Sequence, residues 1–229
     1  MNKKDKVLII AAHPDDEVLG VGGTISKYAA NGAEIKLLIV TDGSTAQYSD
    51  SNDVSAIINQ KKDETKRAAR ILGISDIIYG NLPDMKLDTI AHIEINRVIE
   101  NVISSFCPNI VFTHSGVDVN LDHCCVYRST LVACRPVAGQ CVKELYSYYV
   151  PSSTDWNVQN KNTFEPNVFV DITGSPSKLK YDAMACYSTE IRNYPHPRSI
   201  DALKILDKAN GIHVGVKCAE SFVLHRWLK

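Results

Sequence analysis

The chain has 229 residues, of which 45% are hydrophobic and 22% charged, a balance typical of a globular protein long enough for one sizeable α/β domain. The formal net charge is -1 and the basic residues are scattered, which excludes the basic stripe that binding to a phosphate backbone requires. No apolar run approaches the ~20 residues of a membrane span or the layout of a signal peptide, so we expect a cytoplasmic protein with no nucleic-acid or membrane partner.

The first half of the chain alternates between predicted strands and predicted helices. Short continuous apolar runs predict strands buried on both faces, and apolar residues at helical spacing predict the helices between them. The strands are predicted at 7–12, 35–41, 76–79 and 110–113, and the helices at 17–30, 54–72 and 89–106. This alternation predicts an α/β fold with a Rossmann-like, mostly parallel sheet, helices on both faces and right-handed crossovers.

The last third of the chain is less regular. Its strands are predicted at 145–150, 168–172 and 221–224, and its helices at 177–187 and 199–209. Because the chain contains no internal repeat and no clear linker, we expect a single domain over residues 1–229.

The first predicted strand ends in the sequence HPDDE at 13–17, and Asp122-His123 follows the fourth predicted strand. In a parallel sheet, ligands bind beyond the carboxyl ends of the strands, where both groups lie. A simpler interpretation is that the carboxylates only cap a helix by accepting its free N–H groups. Helix capping explains one or two of the carboxylates, but it explains neither His13 nor a second histidine beside a carboxylate.

A metal site accounts for these histidines and carboxylates together. A catalytic zinc ion takes about three nitrogen or oxygen ligands and keeps one position open, and His13, Asp16 and His123 form such a set. Asp15, beside the metal but not needed as a ligand, is then placed to accept a proton from a bound water. A His/His/Asp site also accepts Fe²⁺, Mn²⁺ or Co²⁺, so the residues leave the identity of the metal open.

Taken in order along nearly the whole chain, several short motifs resemble the PIG-L (LmbE-like) family of zinc-dependent N-deacetylases. The motifs are AHPDDEVLG-x-GG at 12–23, TDG at 41–43, E-x-x-x-A-x-x-x-LG at 64–73, LPD at 82–84, N-x-DH at 120–123, HPRS at 196–199 and AE-x-F at 219–222. The resemblance implies a Rossmann-like fold, zinc on His13, Asp16 and His123, and Asp15 as general base. It also implies a small-molecule substrate, an N-acetylated amino sugar that loses acetate.

The catalytic residues depart from the family pattern at one position. Many relatives have a histidine where this chain has Asn120, whose amide can donate a hydrogen bond to a developing oxyanion but cannot deliver a proton. Proton delivery then falls to Asp15 or to another histidine, for which His196 is our candidate and His114 the second choice. Asp122 either caps the helix that begins at His123 or orients an imidazole ring, and the two roles are compatible.

Substrate contacts are expected from residues around the site. Lys61 stands where many relatives have an arginine, and it supplies a point charge without the two-pronged guanidinium geometry. Arg198 either closes a salt bridge or binds a phosphate. The polar segment 42–53, which includes Asp42, is a candidate lid because it is long for a connector, and 151–165 is a candidate rim.

Two other features have structural explanations. Gly20, Gly22 and Gly23 lack the spacing of a dinucleotide fingerprint, so we expect close helix packing at these glycines. The seven cysteines contain no C-x-x-C pair and are expected to be reduced core thiols.

Three hypotheses about function remain open at the level of sequence. The first is a zinc-dependent deacetylase of an N-acetylglucosamine-type sugar, free, nucleotide-linked or glycosidic, in a biosynthetic pathway. The others are a non-catalytic zinc- or sugar-binding protein and a metal hydrolase of another amide or ester. Homo-oligomerisation is also left open.

Overall fold

The computed structural model describes residues 4–43, 54–157 and 163–229. The strands are β1 Lys6–Ala11, β2 Glu34–Thr41, β3 Asp76–Leu82, β4 Ile110–His114, β5 Glu144–Tyr148, β6 Val168–Asp171 and β7 Ala219–Trp227. The α-helices of the described residues are α1 Asp16–Ala30, α2 Val54–Leu72, α3 His92–Phe106, α4 Leu121–Ala133, α5 Ser175–Met184 and α6 Ile200–Val214. Short 3₁₀ turns lie at Leu87–Thr89 and Thr154–Trp156.

The seven strands form one sheet in the order β3-β2-β1-β4-β5-β7-β6. The first five strands of this order are parallel to their neighbours, whereas β7 runs antiparallel to both β5 and β6. From β1 the chain adds β2 and then β3 on one side of β1, and β4 pairs with the other side of β1. The carboxyl ends of β1 and β4 therefore flank the point where the strand order reverses, which is where open α/β sheets bind their ligands.

Helices cover both faces of the sheet, as the sequence predicts. One core cluster contains buried side chains of α1, α2 and α5, including Val21, Leu72 and Met184. The opposite cluster contains buried side chains of α3 and α4, including Ile99 and Val126. β1 lies between the two clusters with its side chains from Val7 to Ala11 fully buried, which explains its unbroken apolar sequence.

The glycines near the start of α1 serve close packing. At Gly20, a β-carbon would overlap the buried ring of Tyr148, the last residue of β5. At Gly22 and Gly23, a β-carbon would crowd Lys180 and Ile172. These contacts confirm the sequence-based interpretation of the glycines, and they bring the start of α1 close to the sheet.

Most predicted elements agree with the structure to within a few residues, with two corrections. The final strand is longer than predicted and supplies the antiparallel part of the sheet. All seven cysteines are free, as expected of reduced thiols. Cys134 is buried, and Cys125, Cys141 and Cys186 are partly buried and packed against the core, but Cys107 is exposed, so the expectation of a core thiol is wrong for Cys107. Within the described ranges, no helix combines the length and apolar character needed to cross a bilayer.

Candidate metal centre and active-site cavity

Three ligand atoms of the predicted metal site converge at the switch point of the sheet. Asp16 Oδ2 lies 3.4 Å from His13 Nδ1 and 3.4 Å from His123 Nε2, and the two ring nitrogens are 3.3 Å apart. A tetrahedral zinc ion with bonds of 2.0–2.1 Å has ligand atoms about 3.3 Å apart. The three atoms therefore have the spacing of one face of such a site.

A carboxylate stands behind each of the two imidazole rings. Asp122 Oδ2 is 3.0 Å from His13 Nε2, and Asp118 Oδ2 is 3.0 Å from His123 Nδ1. Such carboxylates fix the tautomer and the orientation of metal-ligating histidines, because they accept the proton of the second ring nitrogen. The free nitrogens of both rings then point toward Asp16, as binding a cation between them requires.

The electrostatics of the site favour positive charge at its centre. Burial alone lowers the pKa of both rings, but the surrounding carboxylates outweigh burial and raise the pKa of His13 to about 10 and that of His123 to about 9. Burial also opposes ionisation of Asp16, yet His123 and His114 hold its pKa well below the ordinary value. The donor set and its charges thus fit a divalent metal ion.

The backbone at the start of α1 is unusual at Asp15, which does not belong to the ligand triangle. Asp15 has a φ of 100°, in the left-handed region that only a few non-glycine residues adopt, and its side chain caps no helix N–H. Asp16 Oδ2 accepts the His13 N–H at 2.8 Å, and Glu17 Oε2 accepts the Asp15 N–H at 3.2 Å. The hydrogen bonds of Asp16 and Glu17 stabilise the turn around Asp15. The hypothesis that the acidic residues only cap the helix therefore does not describe this site.

Asp15 lines a cavity of about 330 Å³ next to the candidate metal centre. The carboxyl is only 2% exposed, and its Oδ2 atom lies 3.4 Å from Nη1 of Arg198. Burial raises the pKa of the Asp15 carboxyl well above its ordinary value, although the Arg198 guanidinium opposes the shift. A carboxyl with a raised pKa, beside a metal centre and facing a cavity, has the properties of a general acid–base group.

The wall of the cavity also contains a buried chain of charged side chains. Glu190 contacts Lys61 Nζ at 2.8 Å through one oxygen and Arg198 Nη1 at 2.9 Å through the other. Arg198 Nε donates to Ser152 Oγ at 2.9 Å. Both predicted substrate-binding cations, Lys61 and Arg198, therefore lie at the cavity and share one carboxylate.

Helix α4 begins at Leu121, two residues before the predicted start at His123, so Asn120 and not Asp122 occupies the N-cap position. Asn120 is the N-cap, because its Oδ1 accepts the Asp122 N–H at 2.9 Å. Asp122 does not cap the helix; it accepts the Met85 and Leu87 N–H groups and faces His13. Of the two roles open for Asp122, the structure places it as the partner of an imidazole.

The remaining predicted residues lie at different distances from the cavity. His196 is not among the lining residues: its Nδ1 accepts the Arg198 N–H at 3.1 Å, and its ring meets the edge of Trp156, which does line the cavity. His114 is fully buried and stacks on His123, with Nε2 accepting the Ala12 N–H.

The segments expected to set substrate choice lie partly outside the described residues. Gly43 lines the cavity, whereas Asp42 is not among its lining residues and donates its N–H to Leu82 O at the end of β3. The rest of the candidate lid, 44–53, and part of the candidate rim, 158–162, fall outside the described residues.

Three carboxylates of the site, Asp118, Asp84 and Glu190, had no role predicted from the sequence. Asp118 accepts hydrogen bonds from Ser153 and Thr154 as well as facing His123. Asp84 lies 3.1 Å from His13 Nε2 and lines the cavity. Asp84 belongs to the LPD motif and Asp118 lies five residues before His123, so their positions in the sequence could have indicated a role in the site. Glu190 lies near no such motif.

Comparison with known proteins places the chain in a family. The model of the family described as PIG-L, GlcNAc-PI de-N-acetylase, matches residues 8–134. The chain belongs to the PIG-L family. Among its relatives is YaiS of Escherichia coli strain K12, named an uncharacterized deacetylase, which is 30% identical over 191 residues, or 80% of this chain and 90% of YaiS.

Two further proteins share part of the sequence or the fold. The diacetylchitobiose deacetylase of Thermococcus kodakarensis is 34% identical over 110 residues, which cover 48% of this chain and 40% of that enzyme. The structure of N,N'-diacetylchitobiose deacetylase from Pyrococcus horikoshii superposes with a TM-score of 0.78 at 22% identity, covering 97% of this chain and 84% of that one. At that identity the superposition establishes the fold, which is the Rossmann-like sheet the sequence predicts.

Proposed function

We propose that this protein is a zinc-dependent hydrolase that removes the N-acetyl group from an N-acetylated amino sugar. The observation that carries the proposal is the triangle of His13, Asp16 and His123 with the uncoordinated Asp15 beside it, at the end of a sugar-sized cavity. Membership of a family whose named relatives are sugar deacetylases supports the choice of substrate class.

The proposed metal ligands are His13, Asp16 and His123. When bound, a zinc ion supplies a Lewis acid for the amide carbonyl and lowers the pKa of a water toward ~7. Asp118 and Asp122 hold the two imidazole rings in the ligating tautomer through the contacts described above.

Asp15 is the proposed general base. Its carboxylate takes the proton of the attacking water and then returns that proton to the departing amine nitrogen, which makes His196 unnecessary as an acid. Asn120 lines the cavity, and we assign its Nδ2 the donation of a hydrogen bond to the carbonyl oxygen as negative charge develops there. A neutral amide stabilises that charge without exchanging a proton.

The experiment that tests the proposal joins elemental analysis to an acetate-release assay. Wild type and the His123→Ala variant are purified, and each is assayed on N-acetylglucosamine, N,N'-diacetylchitobiose and the nucleotide-linked sugar. The matched control is His92→Ala, which removes an exposed histidine at the start of α3.

We expect near-stoichiometric metal and acetate release in wild type and in His92→Ala, and loss of both in His123→Ala. Metal-free wild-type protein would overturn the metal centre. Bound metal without acetate release from any N-acetyl sugar would overturn the deacetylase assignment and favour a non-catalytic sugar-binding protein or a hydrolase of another amide or ester.

A further inference from the structure

Lys61 and Arg198, the lysine and arginine among the described residues that line the active-site cavity, are both paired with carboxylates of the protein. Lys61 is 3% exposed and Glu190 is 5% exposed, so the 2.8 Å contact between them lies almost entirely out of solvent. Arg198 shares Glu190 and also faces Asp15 at 3.4 Å. Buried ion pairs of this kind are costly to break, because each partner would lose its counter-charge in a medium of low dielectric.

Among the described residues that line the cavity, carboxyl groups outnumber the lysine and arginine side chains. The lysine and arginine are Lys61 and Arg198, both in contact with Glu190, and the other two carboxyl groups belong to Asp15 and Asp84.

A divalent ion at the metal centre adds two positive charges. Its ligand Asp16 and the carboxylates behind its histidines, Asp118 and Asp122, offset them. The metal centre therefore leaves no surplus positive charge for a second anion.

We propose that Glu190 makes the cavity selective for uncharged sugars, by occupying the two cations that would otherwise hold an anionic group of the substrate. This inference rests on the proposed function, because it takes the cavity to be the sugar site. It narrows the substrate to an N-acetyl sugar whose remaining groups are hydroxyls or a further neutral sugar, in preference to a sugar phosphate or a nucleotide-linked sugar.

The half-exposed apolar side chains of the cavity agree with a neutral ligand. Trp156 is 52% exposed, Met85 51% and Val119 47%, and all three line the cavity. Apolar and aromatic surfaces contact the C–H faces of a sugar ring without any demand for charge, and a phosphate would lose hydration against them without gaining a partner.

The test compares two ligands that differ only by a phosphate, N-acetylglucosamine and N-acetylglucosamine 1-phosphate. Binding to the metal-loaded protein is followed by tryptophan fluorescence in a Trp227→Phe background, so that the signal comes from Trp156, the other of the two tryptophans. Acetate release is measured in parallel, and the affinity ratio of the neutral to the phosphorylated sugar is the decisive quantity.

Three variants separate the charge of Glu190 from its packing. Glu190→Gln removes the carboxylate that both cations share and leaves Arg198 facing Asp15. The double variant Lys61→Gln/Glu190→Gln removes the lysine charge together with that carboxylate. Glu94→Gln, an exposed change on α3, is the matched control. Thermal melts establish that each variant is folded.

We expect wild type to bind the neutral sugar at least about tenfold more tightly than the phosphate, since the phosphate meets paired cations and surplus carboxylates. Glu190→Gln should reduce this ratio by about tenfold through tighter phosphate binding, and the double variant should restore it. Glu94→Gln should leave it unchanged.

Equal or tighter binding of the phosphate by wild type would overturn the inference, whether or not Glu190→Gln folds. So would an unchanged ratio in a folded Glu190→Gln variant. If the neutral sugar binds more tightly than the phosphate but no sugar releases acetate, the proposed function is overturned and the charge selectivity is supported.

Discussion

Replacing Asp15 with asparagine tests the proposed general base with little disturbance of the fold. Asparagine has nearly the same shape as aspartate and tolerates the left-handed backbone found at this position, where φ is 100°. The three metal-ligand atoms belong to other residues, so we expect metal to be retained. Because burial opposes the charge of Asp15, the amide should not lower the melting temperature.

The expected loss of activity follows from the role assigned to Asp15. General acid–base catalysis contributes about 100- to 10,000-fold, so kcat should fall by that factor, or about 3 to 5 kcal/mol of transition-state stabilisation, with little change in KM. Acetate release at saturating substrate gives kcat, and elemental analysis of the same sample gives the metal content. Asp63→Asn, which changes an exposed carboxylate on α2 that pairs with Lys66, is the control and should retain full activity.

An Asp15→Asn variant with bound metal and a kcat within about threefold of wild type would refute the general-base assignment, because the lost proton transfer would then have no kinetic cost. Loss of metal together with activity would instead refute the assumption that Asp15 stands outside the ligand set.

Three further predictions address the shell around the site, its packing and its pH dependence. Asp118→Asn should weaken metal affinity by about 10- to 100-fold by freeing the His123 ring, measured by chelator competition; unchanged affinity would contradict the role of Asp118. Gly20→Ala should destabilise the protein by about 1 to 3 kcal/mol in denaturant melts, because the methyl group overlaps Tyr148; a wild-type midpoint would show that the ring moves freely. Burial raises the pKa of Glu17 from 4.5 to about 7, so in metal-free protein its contribution to stability is complete below pH 4.5 and is lost as the pH rises through 7. Glu17→Gln should reduce the fall in the free energy of unfolding over this pH range by roughly 3 kcal/mol. The same dependence of stability on pH in both proteins would contradict the raised pKa of Glu17.

The alternating architecture was predictable because it depends on local periodicity. The apolar run of β1 and the helical spacing of α2 are properties of short segments, and the observed bounds of α2 coincide with the predicted 54–72. The antiparallel direction of β7 was not predictable, since strand direction follows from how the irregular last third of the chain folds back against β5.

Some residues of the candidate site were predictable from the sequence, and the roles of others needed the structure. His13, Asp15, Asp16 and His123 were identified from sequence because residue types with metal-binding chemistry end two strands that parallel pairing brings together. The choice between capping and orienting for Asp122 needed coordinates, because it depends on a helix start only two residues from the predicted one.

Glu190 shows most clearly what only the tertiary structure decides. It lies in an irregular segment after α5, more than a hundred residues from Lys61, and no local pattern distinguishes it from other glutamates. Sequence by itself determined which groups can bind a metal and move a proton, because those abilities belong to residue types. The fold decided which charges are already neutralised, because ion pairing depends on distances between segments remote in the chain.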